Sequence, residues 1–230
     1  MNFWWLKFDD ASTESLRNNI FTNNSITKNM RLNADTILNA QSYINPIGDR
    51  ELNLRGLQIP VIENLGVTED HYTSLDLSDN EIRVMGGFPR LETLRTLLLS
   101  KNRITQINDV KNIAKLETLV LTQNGIATLG ALESLKSLVN LTAITLDGNP
   151  VQHVPRYRSY MISILPSLRM LDFQRVTQKE RDEAEAMEFD VVPVTETDNL
   201  SAVDKAELRE RLKNATTIQE IEEIEAMLKV

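Results

Sequence analysis

The residues that most often carry chemistry are scarce in this 230-residue chain. It has two histidines, His71 and His153, and no cysteine. A zinc site needs His or Cys ligands at close, regular spacing. His71 sits between Asp70 and Tyr72, and His153 has no second His near it. The lack of cysteine removes disulfides and any thiolate nucleophile or ligand. No Gly-x-x-x-x-Gly-Lys or Gly-x-Gly-x-x-Gly loop is present to cradle phosphate, and no Gly-x-Ser-x-Gly to raise a nucleophile. These patterns point away from an enzyme, a metal centre and a bound cofactor. Non-covalent recognition by a surface is what remains, so the elements that build surfaces carry the argument.

The stretch from Leu75 to Val151 repeats. Leu75-x-Leu77-x-x-Asn80-x-Ile82 is followed by the same pattern at Leu97, at Leu119 and at Ile144, with asparagines at Asn80, Asn102, Asn124 and Asn149. Their spacings of 22, 22 and 25 residues match the leucine-rich-repeat period. Alternate residues of a strand face the same way, so each Leu-x-Leu turns two leucines inward onto those of the next coil. The chain then leaves the strand, and its turn amides need partners. A buried asparagine both donates and accepts, so these four residues are expected to form a structural ladder. The predicted fold class is α/β: a right-handed leucine-rich-repeat solenoid with a parallel concave sheet.

The flanks divide the rest. Residues 1–29, with Phe3-Trp4-Trp5-Leu6 and a polar run, read as a disordered extension with Met30 as the natural start, or alternatively as a short aromatic docking motif. Residues 30–189 read as the repeat domain with its caps. Asn33 or Asp35 is expected to start a helix running through Ile37, Leu38 and Tyr43, stopped by Asn45-Pro46 and Gly48. Leu52, Leu54 and Ile59 form a degenerate first repeat with Leu57 at the asparagine position. Gly86-Gly87 reads as a tight turn. At the far end, Tyr157, Tyr160, Met161 and Ile164 are spaced for a helix. A last strand runs to Phe173, and Thr177 and Glu180 have capping-box spacing. Residues 190–200 read as a linker. Residues 201–230 read as a small helical hairpin, with Leu208 and Leu212 facing Ile218, Ile221, Ile224 and Leu228.

Net charge is −8, a balance that suits no autonomous binder of nucleic acid, where affinity comes largely from neutralising phosphates. No apolar run reaches the ~20 residues of a membrane span. Function is expected on the concave face, at the strand positions between the inward leucines. These are Glu51, Asn53 and Arg55; Ser74, Asp76 and Ser78; Thr96, Leu98 and Ser100; Thr118, Val120 and Thr122; Ala143, Thr145 and Asp147; and Met170, Asp172 and Gln174. Leu98 and Val120 give it an apolar centre, and Asp76, Asp147 and Asp172 an acidic rim. That combination fits an amphipathic helix with a basic edge. The partner-binding candidates are Asn53, Asp76, Thr96, Leu98, Thr118, Val120, Thr145, Asp147 and Asp172.

Several segments together resemble one family. Asp49-Arg-Glu-Leu-Asn-Leu-Arg-Gly56, Ile59-Pro-Val-Ile-Glu-Asn-Leu-Gly66, Asp79-Asn-Glu-Ile-Arg83, Gly87-Phe-Pro-Arg-Leu91, Asn149-Pro150-Val151, Leu165-Pro166 and Leu171-Asp172-Phe173 are similar to the A-prime family of the U2 small nuclear ribonucleoprotein. The match covers about residues 30–189. The 201–230 tail resembles that of fungal members, and residues 1–29 match nothing in the pattern. The resemblance implies a non-catalytic nuclear scaffold in pre-mRNA splicing, without cofactors. It implies a concave face that holds a helix of an RNA-recognition-motif (RRM) partner, the B-double-prime protein. It also implies that the pair binds a U2 snRNA stem-loop among other spliceosomal proteins for branch-site recognition. Arg31, Arg50 and Arg55 are the candidates for RNA contact. The alternative reading is a leucine-rich regulatory subunit of an enzyme such as a protein phosphatase, without RNA. An acidic chaperone-like protein fits less well, because residues 190–230 are too mixed in charge.

Overall fold

Each inward-facing pair builds one short strand, and the strands stack in register. The computed structural model describes residues 31–187 and Phe189; the expectations for 1–29, for the linker 190–200 and for the hairpin 201–230 lie outside the described residues. The strands are β1 (Gln41–Ile44), β2 (Arg50–Asn53), β3 (Ser74–Asp76), β4 (Val84–Met85), β5 (Thr96–Leu98), β6 (Gln106–Ile107), β7 (Thr118–Val120), β8 (Ala143–Thr145), β9 (Met170–Leu171) and β10 (Gln174–Arg175). The main sheet runs β1-β2-β3-β5-β7-β8-β9-β10. It is parallel from β2 to β9 and closed at each end by an antiparallel strand. Leu52, Leu75, Leu97, Leu119, Ile144 and Leu171 align across it, and all are buried. This continuous spine is the core of the solenoid.

The asparagines stitch the coils together where strand hydrogen bonds end. Asn102 Nδ2 donates to Leu99 O of its own coil at 3.1 Å and to Leu77 O of the preceding coil at 3.0 Å. Its Oδ1 accepts from Ile82 N at 3.1 Å. Asn124 and Asn149 repeat the arrangement one and two coils on. Asn80 reaches back into the degenerate coil, accepting from Leu57 N and Ile59 N at 3.0 Å each. The missing asparagine at Leu57 therefore leaves no orphan, because the first coil only receives.

The outer side carries 3-10 helices at Leu65–Thr68, Lys111–Ile113, Gly130–Ser137 and Pro150–His153, and the two-stranded parallel sheet β4-β6. The double glycine is required by close approach. A Cβ at Gly86 would stand 2.7 Å from Asn108 O, and one at Gly87 would stand 2.7 Å from Ile62 O. Gly87 also adopts φ +74°, which disfavours side chains.

Two expectations about the caps need correction. Helix α1 spans only Ala34–Leu38, with Asn33 Oδ1 accepting from Thr36 N at the N-cap. Tyr43 is not helical. It lies in β1, antiparallel to β2 and opposite Glu51. The Asn45–Gly48 turn joins these strands as a hairpin, with Gly48 N donating to Asn45 O. The N-cap candidates and the apolar Ile37, Leu38 and Tyr43 suggest a longer helix, but pairing along the open edge of β2 satisfies backbone groups that it would leave bare. The last strand likewise does not run straight through. It turns back at Asp172 and Phe173, so Gln174 pairs antiparallel with Leu171 and does not continue the face.

Helix α2 (Tyr157–Ile164) and helix α3 (Gln178–Glu185) seal the far end. Thr177 and Glu180 make the reciprocal capping box. Arg158 bonds Glu180 at 2.7 Å and donates to the carbonyls of Leu171 and Arg175. The Arg158 guanidinium, together with the Thr177 amide and hydroxyl, holds the Glu180 carboxyl at about 2.

Two outcomes follow. Asn102→Ala leaves Ile82 N–H without its acceptor and takes one of two asparagine donors from each of the Leu77 and Leu99 carbonyls, and is expected to lower stability by about 2 kcal/mol in urea unfolding. For Glu180, the folded-state value lies below the ordinary carboxylate value of 4.5. Its contribution is therefore complete above about pH 4.5 and is lost as pH falls toward about 2. Arg158→Ala is expected to flatten that part of the acid-unfolding limb, measured by circular dichroism against pH.

Candidate functional site

The concave face carries two rows of outward side chains. The first is Glu51, Ser74, Thr96, Thr118, Ala143 and Met170; the second is Asn53, Asp76, Leu98, Val120, Thr145 and, one residue past β9, Asp172. The expectation that these positions are all exposed holds for only part of the sheet. Glu51, Ser74, Asp76 and Ser78 are buried. For Glu51 and Ser74 the reason is the N-terminal hairpin. Tyr43 Oη donates to Glu51 Oε1 at 2.6 Å, and Asn45 Nδ2 and Ser74 Oγ donate to Oε2 at 3.1 and 2.9 Å. Burial pushes the Glu51 carboxyl up, but these three hydrogen bonds outweigh it and leave the group below its ordinary value.

The expected acidic rim is reduced for the same kind of reason. Asp76 Oδ1 accepts from Ser78 N at 2.8 Å, and Asp76 is 8% exposed. Asp172 accepts from Leu146 N at 2.7 Å and from Tyr157 Oη at 2.9 Å. Burial first, and then the Asp172 carboxylate, push the Tyr157 phenol far up, so it stays a donor. Asp76 thus fastens the turn of its own coil, and Asp172 ties the last coil to the one before it and to Tyr157. Of the three, only Asp147 is exposed.

The open part of the face lies on β5 to β9. Leu98 and Val120 are half-buried partners on neighbouring strands. Thr96, Thr118, Ala143 and Thr145 are half-buried around them, and Met170 is exposed. The apolar residues run diagonally: second row on β5 and β7, first row on β8 and β9. This broad strip lacks the walls of a substrate cleft.

The three arginine candidates do not form one patch. All are exposed. Arg50 begins β2 and lies 5.2 Å over the Tyr72 ring, whereas Arg55 follows the opposite end of that strand. Arg31 precedes Leu32, whose carbonyl accepts from Asn64 Nδ2. Elsewhere, Arg90 and Lys115 line an open groove of about 460 Å³ on the outer side. Both pair with Glu92, at 2.7 and 2.8 Å. Lys115 and then Arg90 hold that carboxyl at about 2, so their charge is already met.

Comparison with known proteins agrees with this geometry. A family model described as "Leucine-rich repeat" matches residues 29–191. The U2 small nuclear ribonucleoprotein A' of Mus musculus is 40% identical over 223 residues, covering 86% of this chain and 88% of that protein. The chain belongs to the U2 small nuclear ribonucleoprotein A' family. The Schizosaccharomyces pombe member is 38% identical and is covered to 97% of its length. The Aspergillus fumigatus member is 45% identical over 160 residues, 63% of its length. A chain in the crystal structure of the Drosophila melanogaster SNF/U2A' complex superposes with TM-score 0.65 at 39% identity, covering 78% of this chain and 98% of that one. Membership makes this a non-catalytic repeat protein.

Sequence reasoning missed three groups that build the A' repeat body. The Gln41–Ile44 strand was hidden inside an apparent helix, although Asn45-Pro-Ile-Gly48 is a turn signal between two short runs. Asp70 accepts from the amides of Glu92 and Thr93. A second asparagine set, Asn64, Asn112 and Asn140, donates to the carbonyls of Leu32, Phe88 and Ala114 on the outer side. Its irregular spacing gave no periodic signal.

Glu51→Ala removes the acceptor for Tyr43, Asn45 and Ser74. Amide exchange at Gln41–Ile44 is expected to quicken about tenfold or more, with Leu97 and Leu119 unchanged, as read by hydrogen-exchange mass spectrometry.

Proposed function

We propose that this chain is the leucine-rich-repeat scaffold subunit of a U2 small nuclear ribonucleoprotein acting in pre-mRNA splicing in the nucleus. Its concave face cradles a helix of an RRM partner of the B-double-prime type. The pair binds a U2 snRNA stem-loop, and the partner reads the RNA bases through its aromatic platform. Within this reading, residues 30–189 form the body, 1–29 an extension, 190–200 a linker and 201–230 a tail module.

The observation that carries the proposal is the apolar pair Leu98 and Val120, left open at the middle of the sheet. Thr96, Thr118, Ala143 and Thr145 lie half-buried beside it, and Asp76, the one carboxylate next to Leu98, is buried with its Oδ1 accepting from Ser78 N. An apolar centre flanked by small polar side chains is the anatomy of a protein interface, not of a nucleic-acid groove. The net charge of −8 accords with a cradle whose partner supplies most phosphate contacts. The relative solved in complex with SNF supports the reading that such a chain works with a protein partner. Arg31, Arg50 and Arg55 are assigned local backbone contacts to the RNA.

Leu98→Arg and Val120→Arg place a charge at the buried centre of this interface. Each is expected to weaken partner binding by a hundredfold or more, about 3 kcal/mol, while circular dichroism and melting stay near wild type. Tagged wild-type chain is expected to retain one spliceosomal small nuclear RNA and an RRM protein, and both variants to lose the two together. Retention of both by the variants, or capture of a phosphatase without RNA by the wild type, would overturn the reading.

A further inference from the structure

The turn between β9 and β10 holds a side chain that the fold does not explain. Asp172 and Phe173 form a two-residue hairpin loop, and both adopt positive φ, 48° and 63°. Loops of this kind favour Asn-Gly or Asp-Gly, because both central residues are left-handed. Asp172 fits, and its carboxylate is used twice inside the cap. Phe173 stands where glycine is the default. A bulky residue there is a genuine backbone outlier. Its ring returns little to the fold, since Phe173 is 74% exposed. Strain of this type persists where surrounding structure imposes it, and it gathers at functional positions.

The surroundings do impose it. Arg158 donates to Leu171 O at 3.3 Å on one side of the turn and to Arg175 O at 3.1 Å on the other. Glu180 in turn fixes Arg158. The turn is thereby clamped, and Phe173 is presented from a rigid base, which lowers the ordering penalty on binding.

Its place matters as much as its conformation. The turn closes the last strand of the diagonal that runs from Leu98 through Val120 and Ala143 to Met170. Those four strands span roughly 14 Å at ~4.8 Å per interval. That is the length of about ten helical residues, so one amphipathic helix covers the strip as far as Met170, and Phe173 stands in the turn that ends the same strand, past the second row.

We infer that Phe173 is an aromatic anchor of the partner interface: it inserts into an apolar pocket of the helix-bearing RRM partner and fixes where along the concave face that partner stops. The inference rests on the cradle reading above and adds a specificity-determining residue to it. Aromatic side chains held in place before binding are the usual dominant contacts of such interfaces.

Phe173→Gly tests it, because glycine relieves the backbone while deleting the ring. Binding is measured by calorimetry with the full chain against recombinant SNF-type RRM protein, with Leu98→Arg in parallel. The melting temperature of Phe173→Gly is expected to equal or exceed wild type, while affinity falls about tenfold or more. Phe173→Asn, which also tolerates the left-handed region, is expected to behave alike. Affinity within twofold of wild type in both variants, with Leu98→Arg still defective, would overturn the anchor and leave the cradle standing. Melting temperatures lowered in both variants would also overturn it, since the ring would then serve the fold. Unchanged binding by Leu98→Arg as well would instead remove the cradle reading on which the anchor rests.

Discussion

Wherever this chain turns off its sheet, backbone amides and carbonyls lose the neighbours that a strand would supply, yet the turns lie against the core. A buried unpaired polar group is expensive, and here the need recurs once per coil. Asn80, Asn102, Asn124 and Asn149 meet it with one side chain each, accepting from an amide and donating to carbonyls of two successive coils. Because each asparagine spans a coil boundary, it couples neighbours as well as satisfying turns. Cooperativity in a linear array depends on such nearest-neighbour terms, and the leucine spine alone, being non-directional, would not set the register of one coil on the next.

The same constraint governs the two ends, where there is no further coil to couple to. Both are closed by an antiparallel strand added to the parallel sheet, β1 at one end and β10 at the other. At the first end, β1 extends the sheet beside β2 and uses the Glu51 carboxylate as its fastening point. At the last, Arg158 and Glu180 pin α2, the β9-β10 turn and α3 into one cap. Capping therefore takes its materials from the binding face. It removes Glu51, Ser74 and Asp172 from the set available to a partner, and it leaves the apolar diagonal on β5 to β9.

A face made this way is rigid and chemically plain. Apart from the exposed Asp147, its carboxylates are committed to amides, hydroxyls and turns, and the open residues around Leu98 and Val120 are Thr, Ala and Met. Those groups do not move protons or hold ions; they present shape and apolar area. That is consistent with membership of the U2 small nuclear ribonucleoprotein A' family and with a role exercised through another protein.

How much of this was legible beforehand depended on periodicity. The spine, the asparagine ladder, the Thr177–Glu180 capping box and the concave register all recur at fixed spacing or follow a local rule, and local rules survive without knowledge of the fold. The resemblance to the A' family was carried by lead-in and cap segments that the repeats alone do not require. Where the prediction failed, the deciding interaction was long-range. The cap signal at Asn33 and the apolar Ile37, Leu38 and Tyr43 suggest one helix, but the edge of β2 and the Glu51 carboxylate recruit Tyr43 into a strand. Asp76 and Asp172 looked like rim charges because alternate strand positions point outward, but backbone amides at Ser78 and Leu146 and the Tyr157 hydroxyl claim them. The strained presentation of Phe173 depends on Arg158 and Glu180 gripping the turn. The sequence thus determined the repeat, its core and the family. Which side chains of the face stay open was decided only by the tertiary structure, because that outcome turns on partners brought together from different coils and caps.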